Sequence, residues 1–187
     1  GHLDILINNA GLANAPGAMD AKEDREEDWD VTFDINVKGT VHCTKAVERH
    51  FMERKYGKII NISSVAGRLP RPTSPHYASS KAAVISYTRS IAAKLAPYNV
   101  NVNAIGPGRV WTPFHEDMLR ERQRRGAANL QGRNLHEVFV ESLKDVTPLG
   151  REQTPEDVAK LAAFLVSEDA RNITGQCIPL DGGMAMV

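Results

Sequence analysis

Four short apolar runs, set between longer stretches of helical periodicity, constrain this 187-residue chain more than any other feature. They are LDILIN at Leu3–Asn8, KIINIS at Lys58–Ser63, NVNVNAI at Asn99–Ile105 and QCIPL at Gln176–Leu180. Each reads as a strand, and the first, bounded by glycine, reads as one covered on both faces. A helix is expected from about Arg25 to Lys55, a second from about His76 to Ala96, and a third opening at Thr154. Strands that alternate with helices build a parallel sheet with helices on both faces. The fold class is therefore α/β, a doubly wound parallel sheet of Rossmann type.

Local signals agree with these assignments. In the first helix Trp29, Phe33, Val37 and Val41 recur every four residues and predict its inner face. The acidic run Asp20–Asp28 suits the positive end of the helix dipole and reads as a solvated helix start rather than a metal site. Thr154 is a natural N-cap, Pro155 fits the first helical position, and Glu156 and Asp157 supply first-turn acids. Val158, Leu161, Ala162 and Leu165 then form the inner face. Residues 112–146 are charged and helical in pieces. No repeat, low-complexity tract or linker divides residues 1–187, so one domain is expected.

Composition narrows the function classes. Formal net charge is zero, which offers no electrostatic reason for a nucleic-acid or membrane partner. No apolar run approaches a membrane span and none resembles a signal peptide. The two cysteines, Cys43 and Cys177, lie far apart, which fits a reducing compartment and a cytoplasmic protein better than a disulfide framework. None of the six histidines has a metal-ligand spacing, and adjacent His42 and Cys43 do not share a helix face.

The chemistry is concentrated in NISSVAGRLPRPTSPHYASSKAA. Tyr77 and Lys81 are four apart on one helix face, and of the four tyrosines only Tyr77 has a lysine at that offset. A free phenol has a pKa near 10, so lowering it to about 7 takes ~4 kcal/mol. One ammonium at about 4 Å supplies ~4 kcal/mol at an effective dielectric of ~20. The pair can thus make a proton donor and acceptor near neutrality. By itself the spacing is equally met by a packed phenol beside a solvated lysine. Ser64 falls at the end of a strand, where open parallel sheets place ligands, and its hydroxyl can hold an oxygen gaining negative charge. Ser63 should point to the opposite side of the sheet. Either serine also fits a simple strand-end cap. Asn36 sits mid-helix, where Asn is mildly unfavourable, and so suggests a buried hydrogen bond, a bound water or a solvent-facing side chain.

Together these residues resemble the short-chain dehydrogenases/reductases over nearly the whole chain. Asn8-Asn9-Ala10-Gly11 is similar to the family's NNAG element. Asn36 in DINVKGT matches its catalytic Asn, and Ser64, thirteen residues before Tyr77, matches its catalytic Ser. Tyr77 and Lys81 in YASSK match the YxxxK pair, and NAIGPGRVWTP and the stretch from PLGREQTPEDVAK to LDGG resemble the later elements. The resemblance implies an NAD- or NADP-dependent oxidoreductase acting on a small secondary alcohol or ketone. Tyr77 would exchange the proton with the substrate oxygen and Ser64 would hold that oxygen. Lys81 would depress the Tyr77 pKa and hold ribose hydroxyls, and Asn36 would position a proton-relaying water. Cofactor contacts would come from Asn8, Ala10, Gly11, Tyr77, Lys81, Pro107, Gly108, Val110 and Thr112. It also implies a homo-oligomer, a tetramer, with the GGMAMV end either buried at an interface or frayed.

The family's TGxxxGxG turn, whose amides hold a pyrophosphate, does not occur in these residues. The chain therefore reads as the later two-thirds of such a fold, lacking its first two or three strand–helix units. Leu3–Asn8 is then expected at an exposed sheet edge, and NAD(P) binding by these residues alone is expected to be very weak. A non-catalytic or proteolysed fragment that keeps only the fold and the oligomer surface is the competing reading. Residues 112–146 stand where the family places its substrate lid. Trp111 and Phe114 are candidate substrate contacts, with Leu69, His76, His115 and Met118 behind them, though the aromatics equally suit a core. Arg120, Arg122, Arg124 and Arg125 read either as a solvated helix face or as a cationic lid for a carboxylate or phosphate.

Overall fold

The computed structural model describes residues 1–13 and 25–186, except for the side chain of Phe114. Strands β1 (Ile5–Asn8), β2 (Gly57–Ile62), β3 (Val100–Pro107) and β4 (Cys177–Leu180) make one parallel sheet in the order β1-β2-β3-β4. Helices α1 (Glu26–Phe33), α2 (Thr40–Arg54), α3 (Pro75–Leu95), α4 (Pro113–Arg124), α5 (Leu135–Leu143) and α6 (Pro155–Val166) complete it. The doubly wound α/β class expected from the alternation is the one observed.

Each strand sends alternate residues to opposite faces. Ile59, Val100 and Val102 pack with Phe51 of α2 and with Ile91, Ala92 and Leu95 of α3. Ile60 and Ile105 pack with Ala162 and Leu165 of α6. The asparagines of NVNVNAI are buried and satisfied: Asn101 Nδ2 donates to the Arg171 and Ile173 carbonyls, and Asn103 Nδ2 to the Ile173 carbonyl. They fasten the loop that leads into β4. At the sheet edge Leu3, Ile5 and Ile7 remain 43%, 40% and 46% exposed.

The long first helix departs from expectation. α1 and α2 are continuous but joined by a π-helical stretch at Asp34–Gly39. The buried line is Asp28, Thr32, Asn36, Thr40 and Thr44, not the apolar stripe. Trp29, Phe33, Val37 and Val41 are only half-buried. Positions four apart drift about 40° per step in an α-helix, and the wider π turn takes part of that drift back. A polar line is thereby kept against the sheet and α3. Arg25 grips Asp28 through two hydrogen bonds and Thr40 Oγ1 donates to the Asn36 carbonyl at 2.8 Å, while Thr32 Oγ1 has no hydrogen-bond partner among the described residues. Of the expected acidic run, Glu26, Glu27 and Asp28 lie in the first turn of α1, and its earlier members fall outside the described residues.

α6 opens as its sequence predicts. Thr154 Oγ1 accepts from the Asp157 amide at 3.2 Å, and the Asp157 carboxylate accepts from the Thr154 amide at 2.9 Å. Segment 112–146 forms a small unit of its own, with Leu119, Leu130, Phe139 and Leu143 as its core. Cys43 is exposed and Cys177 buried, both free.

Candidate active site

Tyr77 and Lys81 lie near the start of α3, facing the end of β2. The side chain of Lys81 is buried, with the residue 5% exposed. Its Nζ donates to the Ile62 carbonyl at 2.9 Å and stands 5.8 Å from the Tyr77 ring centre. The two serines after β2 both reach α3, so Ser63 does not turn to the opposite side of the sheet as expected, because the strand and its alternation end at Ile62. Ser63 Oγ donates to the Lys81 carbonyl at 2.9 Å, tying the strand end to α3. Ser64 Oγ accepts from the Ala66 amide at 3.2 Å and hydrogen-bonds the Tyr77 phenol. Gly67, which the sequence reading did not single out, closes this packing. A Cβ there would stand 2.8 Å from the Lys81 carbonyl carbon and 2.9 Å from the Ala82 nitrogen. Only a glycine lets this turn lie so close against α3.

Asn36 joins three segments. Its Oδ1 accepts from the Leu12 amide at 2.8 Å. Its Nδ2 donates to the Leu12 carbonyl at 2.8 Å and to Ser80 Oγ at 3.0 Å. Both amide hydrogens are therefore committed, and the side chain pins the loop after β1 against α3. Ser80, inside the YASSK motif, is a bridging residue that the sequence reading missed. The pinned loop carries Gly11 to the ammonium: a Cβ on Gly11 would stand 3.1 Å from Lys81 Nζ and 3.2 Å from Asn36 Oδ1.

The electrostatics reverse one expectation. Burial dominates at Tyr77 and raises its pKa above that of a free phenol, against smaller lowering by the Ser64 hydrogen bond and by Arg71. Burial also lowers the Lys81 pKa to about 8. The expected depression of Tyr77 by an ammonium at about 4 Å is not what this geometry gives, because both groups lose water together. Tyr77 is thus a protonated donor at neutral pH.

The predicted cofactor contacts gather along the C-terminal edge of the sheet, where ligands bind in open α/β folds. Asn8 is the exception in its side chain: Nδ2 donates to Asn61 Oδ1 at 2.8 Å and Thr44 Oγ1 at 3.3 Å, a link within the fold. Ala10 and Gly11 are exposed in the following loop. Pro107 ends β3, and the Gly108 amide donates to the Leu180 carbonyl at 2.9 Å. Val110 bridges to Gln153, and Thr112 precedes α4 with Oγ1 3.4 Å from His115 Nδ1. Trp111 packs on His136 and Phe139, at ring distances of 5.0 and 5.1 Å, in the core of segment 112–146. The Phe114 side chain lies outside the described residues. His76 is buried, with Nε2 2.9 Å from the Ala13 carbonyl. Of the two readings of the arginines after Pro113, the solvated helix face fits better, with Arg120 on Glu116 and both Arg124 and Arg125 on Glu121.

These donors fit a nicotinamide ribose. A lysine ammonium has three donors, and the Ile62 carbonyl uses one. The floor beside it is glycine backbone, which leaves open the volume a Cβ would fill. Among the described residues no group of three or more His, Cys, Asp or Glu side chains is arranged to hold a metal, and no helix is long and apolar enough to cross a membrane.

A family model described as enoyl-(acyl carrier protein) reductase matches residues 1–185. The 3-oxoacyl-[acyl-carrier-protein] reductase FabG of Thermotoga maritima is 34% identical over 186 residues, covering 100% of this chain and 68% of its own length. A 3-oxoacyl-[acyl-carrier protein] reductase from Brucella melitensis, solved with bound NAD, superposes with a TM-score of 0.79 at 31% identity, over 99% of this chain and 63% of that one. ElxO with NADP bound superposes at 0.81 and 33% identity, over 98% and 68%. The chain thus spans about two thirds of the length of the proteins it matches.

Proposed function

Because the chain belongs to the short-chain dehydrogenase/reductase family, we propose that it serves an NAD(P)-dependent oxidoreductase that interconverts a secondary alcohol and a ketone. The observation that carries this reading is the convergence of Ser64, Tyr77, Lys81 and the Asn36-pinned Gly11 loop at one edge of the sheet. A bound nicotinamide would supply or accept the hydride. Lys81, with two donors unspent among the described residues, would hold the ribose hydroxyls, and the Gly11 backbone would line the floor beneath them. Ser64 would hold the substrate oxygen as charge develops on it. Tyr77, kept protonated by burial, would deliver the proton to that oxygen in the reductive direction; oxidation would require the phenol to lose its proton first. Relatives solved with NAD and with NADP support either cofactor.

The reading extends to a homotetramer. The half-exposed stripe of Trp29, Phe33, Val37 and Val41, and the small exposed residues Ser79, Ala82, Ser86 and Ser90 on α3, suit close docking of a second copy. Light scattering that gives the 20.5 kDa monomer mass would remove this part. The two free cysteines support a reducing, cytoplasmic setting.

The test of the reaction is turnover of a panel of ketones, followed by absorbance of the reduced nicotinamide. Removing a general acid costs about 10²–10⁴ in rate, so Tyr77→Phe should lose that much. A Tyr77→Phe enzyme of undiminished turnover would end the proposal.

A further inference from the structure

We propose that Ser80 is a positioning residue for the nicotinamide site: it locks the Asn36 carboxamide in one orientation and so keeps the loop after β1 against the Lys81 ammonium. This rests on the oxidoreductase reading above and adds to it a residue that touches no reacting atom. Asn36 stands in the π-helical stretch between α1 and α2, and Ser80 on α3, one position before Lys81. Ser80 is 0% exposed and Asn36 1%. Polar atoms buried so deeply need partners within the fold.

The hydrogen bonds have a fixed direction. Ser80 Oγ spends its one hydrogen on the Tyr77 carbonyl at 2.8 Å. Toward Asn36 it can therefore only accept, and it accepts from Nδ2 at 3.0 Å. The second Nδ2 hydrogen goes to the Leu12 carbonyl at 2.8 Å, and Oδ1 accepts from the Leu12 amide at 2.8 Å. A carboxamide turned end for end would set its oxygen against the Leu12 carbonyl and a Ser80 oxygen that has no hydrogen to give. Its nitrogen would face the Leu12 amide, so all three contacts would be lost together. The lock matters because the same loop carries Gly11, where a Cβ would stand 3.1 Å from Lys81 Nζ and 3.2 Å from Asn36 Oδ1. Without the Ser80 oxygen one Nδ2 hydrogen is left unpaired in the interior. The carboxamide then gains by turning away, and the loop beside the ammonium is released with it.

Two variants test this. Ser80→Ala removes the oxygen and adds no bulk. Ser80→Cys fills the space again, but its sulfur is a weak acceptor. The first readout needs no cofactor: hydrogen–deuterium exchange of the Leu12 amide, followed by NMR. It should quicken about tenfold in both variants, which is what one lost buried hydrogen bond is worth. The second readout is steady-state kinetics, taken well below the melting temperature of each variant. In Ser80→Ala the KM for NAD(P)H should rise about fivefold or more, while kcat and the ketone KM move less than about twofold. A role in packing alone predicts a Ser80→Cys protein that matches the wild type, and that result overturns the proposal. Unchanged Leu12 exchange in Ser80→Ala overturns it as well, as does faster exchange with an unchanged cofactor KM. The two readings stay separable: undiminished turnover in Tyr77→Phe refutes the reaction, whereas Leu12 exchange and the cofactor KM of the Ser80 variants decide the lock.

Discussion

Replacing Lys81 with Met should make the protein more stable at neutral pH while removing its activity. Lys81 is 5% exposed, and burial lowers its pKa from 10.5 to about 8. That difference of ~2.5 units, at 1.36 kcal/mol each, corresponds to about 3 kcal/mol of folding free energy lost to keeping the ammonium buried. Met keeps a similar length and removes the charge. Against the gain stands the hydrogen bond to the Ile62 carbonyl, whose loss costs about 1–2 kcal/mol. The net expectation at pH 7 is a gain of about 1–2 kcal/mol, or a melting temperature several degrees higher for a chain of this size. The pH dependence is the sharper signature. Below pH 8 folded and unfolded chains both hold the Lys81 proton, and the wild type bears the full cost. Between about pH 8 and 10.5 the folded state releases the proton while the unfolded state keeps it, so wild-type stability rises with pH relative to the variant. Urea denaturation of both proteins at pH 7 and pH 10 measures this directly. The stability difference should move by about 2.5 kcal/mol in favour of the wild type between the two pH values. A difference that stays constant with pH refutes the argument, whatever its sign at pH 7.

Two further substitutions probe the supports of the site. Gly67→Ala places a methyl 2.8 Å from the Lys81 backbone, where neither segment is free to yield, and should cost about 1–3 kcal/mol in a thermal melt. An unchanged melting temperature would show that the contact has slack. Asn36→Ala leaves the Leu12 amide and carbonyl without their partners, so it should destabilise by about 2 kcal/mol in urea and reduce kcat/KM further by freeing the Gly11 loop. Stability loss with undiminished kcat/KM would show that the loop does not position the site.

Much of this was legible in one dimension because it follows from local rules. Strand–helix alternation set the parallel sheet, and the offset of four put Tyr77 and Lys81 on one face. Thr154 and Asp157 formed the reciprocal cap that their types and spacing predict. The apolar stripe of the first helix misled, because hydrophobicity does not reveal which face a sheet and a neighbouring helix will claim. A polar line was buried there instead, and all of it but Thr32 is hydrogen-bonded by partners distant in sequence or one turn away. The arginines around α4 left two readings open, and glutamates three and four residues earlier answer Arg120, Arg124 and Arg125, as a solvated helix face would.

What the sequence determined alone was the set of elements, their order and the identity of the groups that can carry the chemistry, since spacing along one helix or strand fixes relative direction. What only the tertiary structure decided was solvation and convergence. It made Tyr77 harder to ionise rather than easier, drew Gly11 to the ammonium through Asn36, and set Arg71 over the Tyr77 ring. The reason is physical: ionisation and field strength depend on which atoms exclude water from a group, and those atoms belong to residues that the chain order leaves far apart.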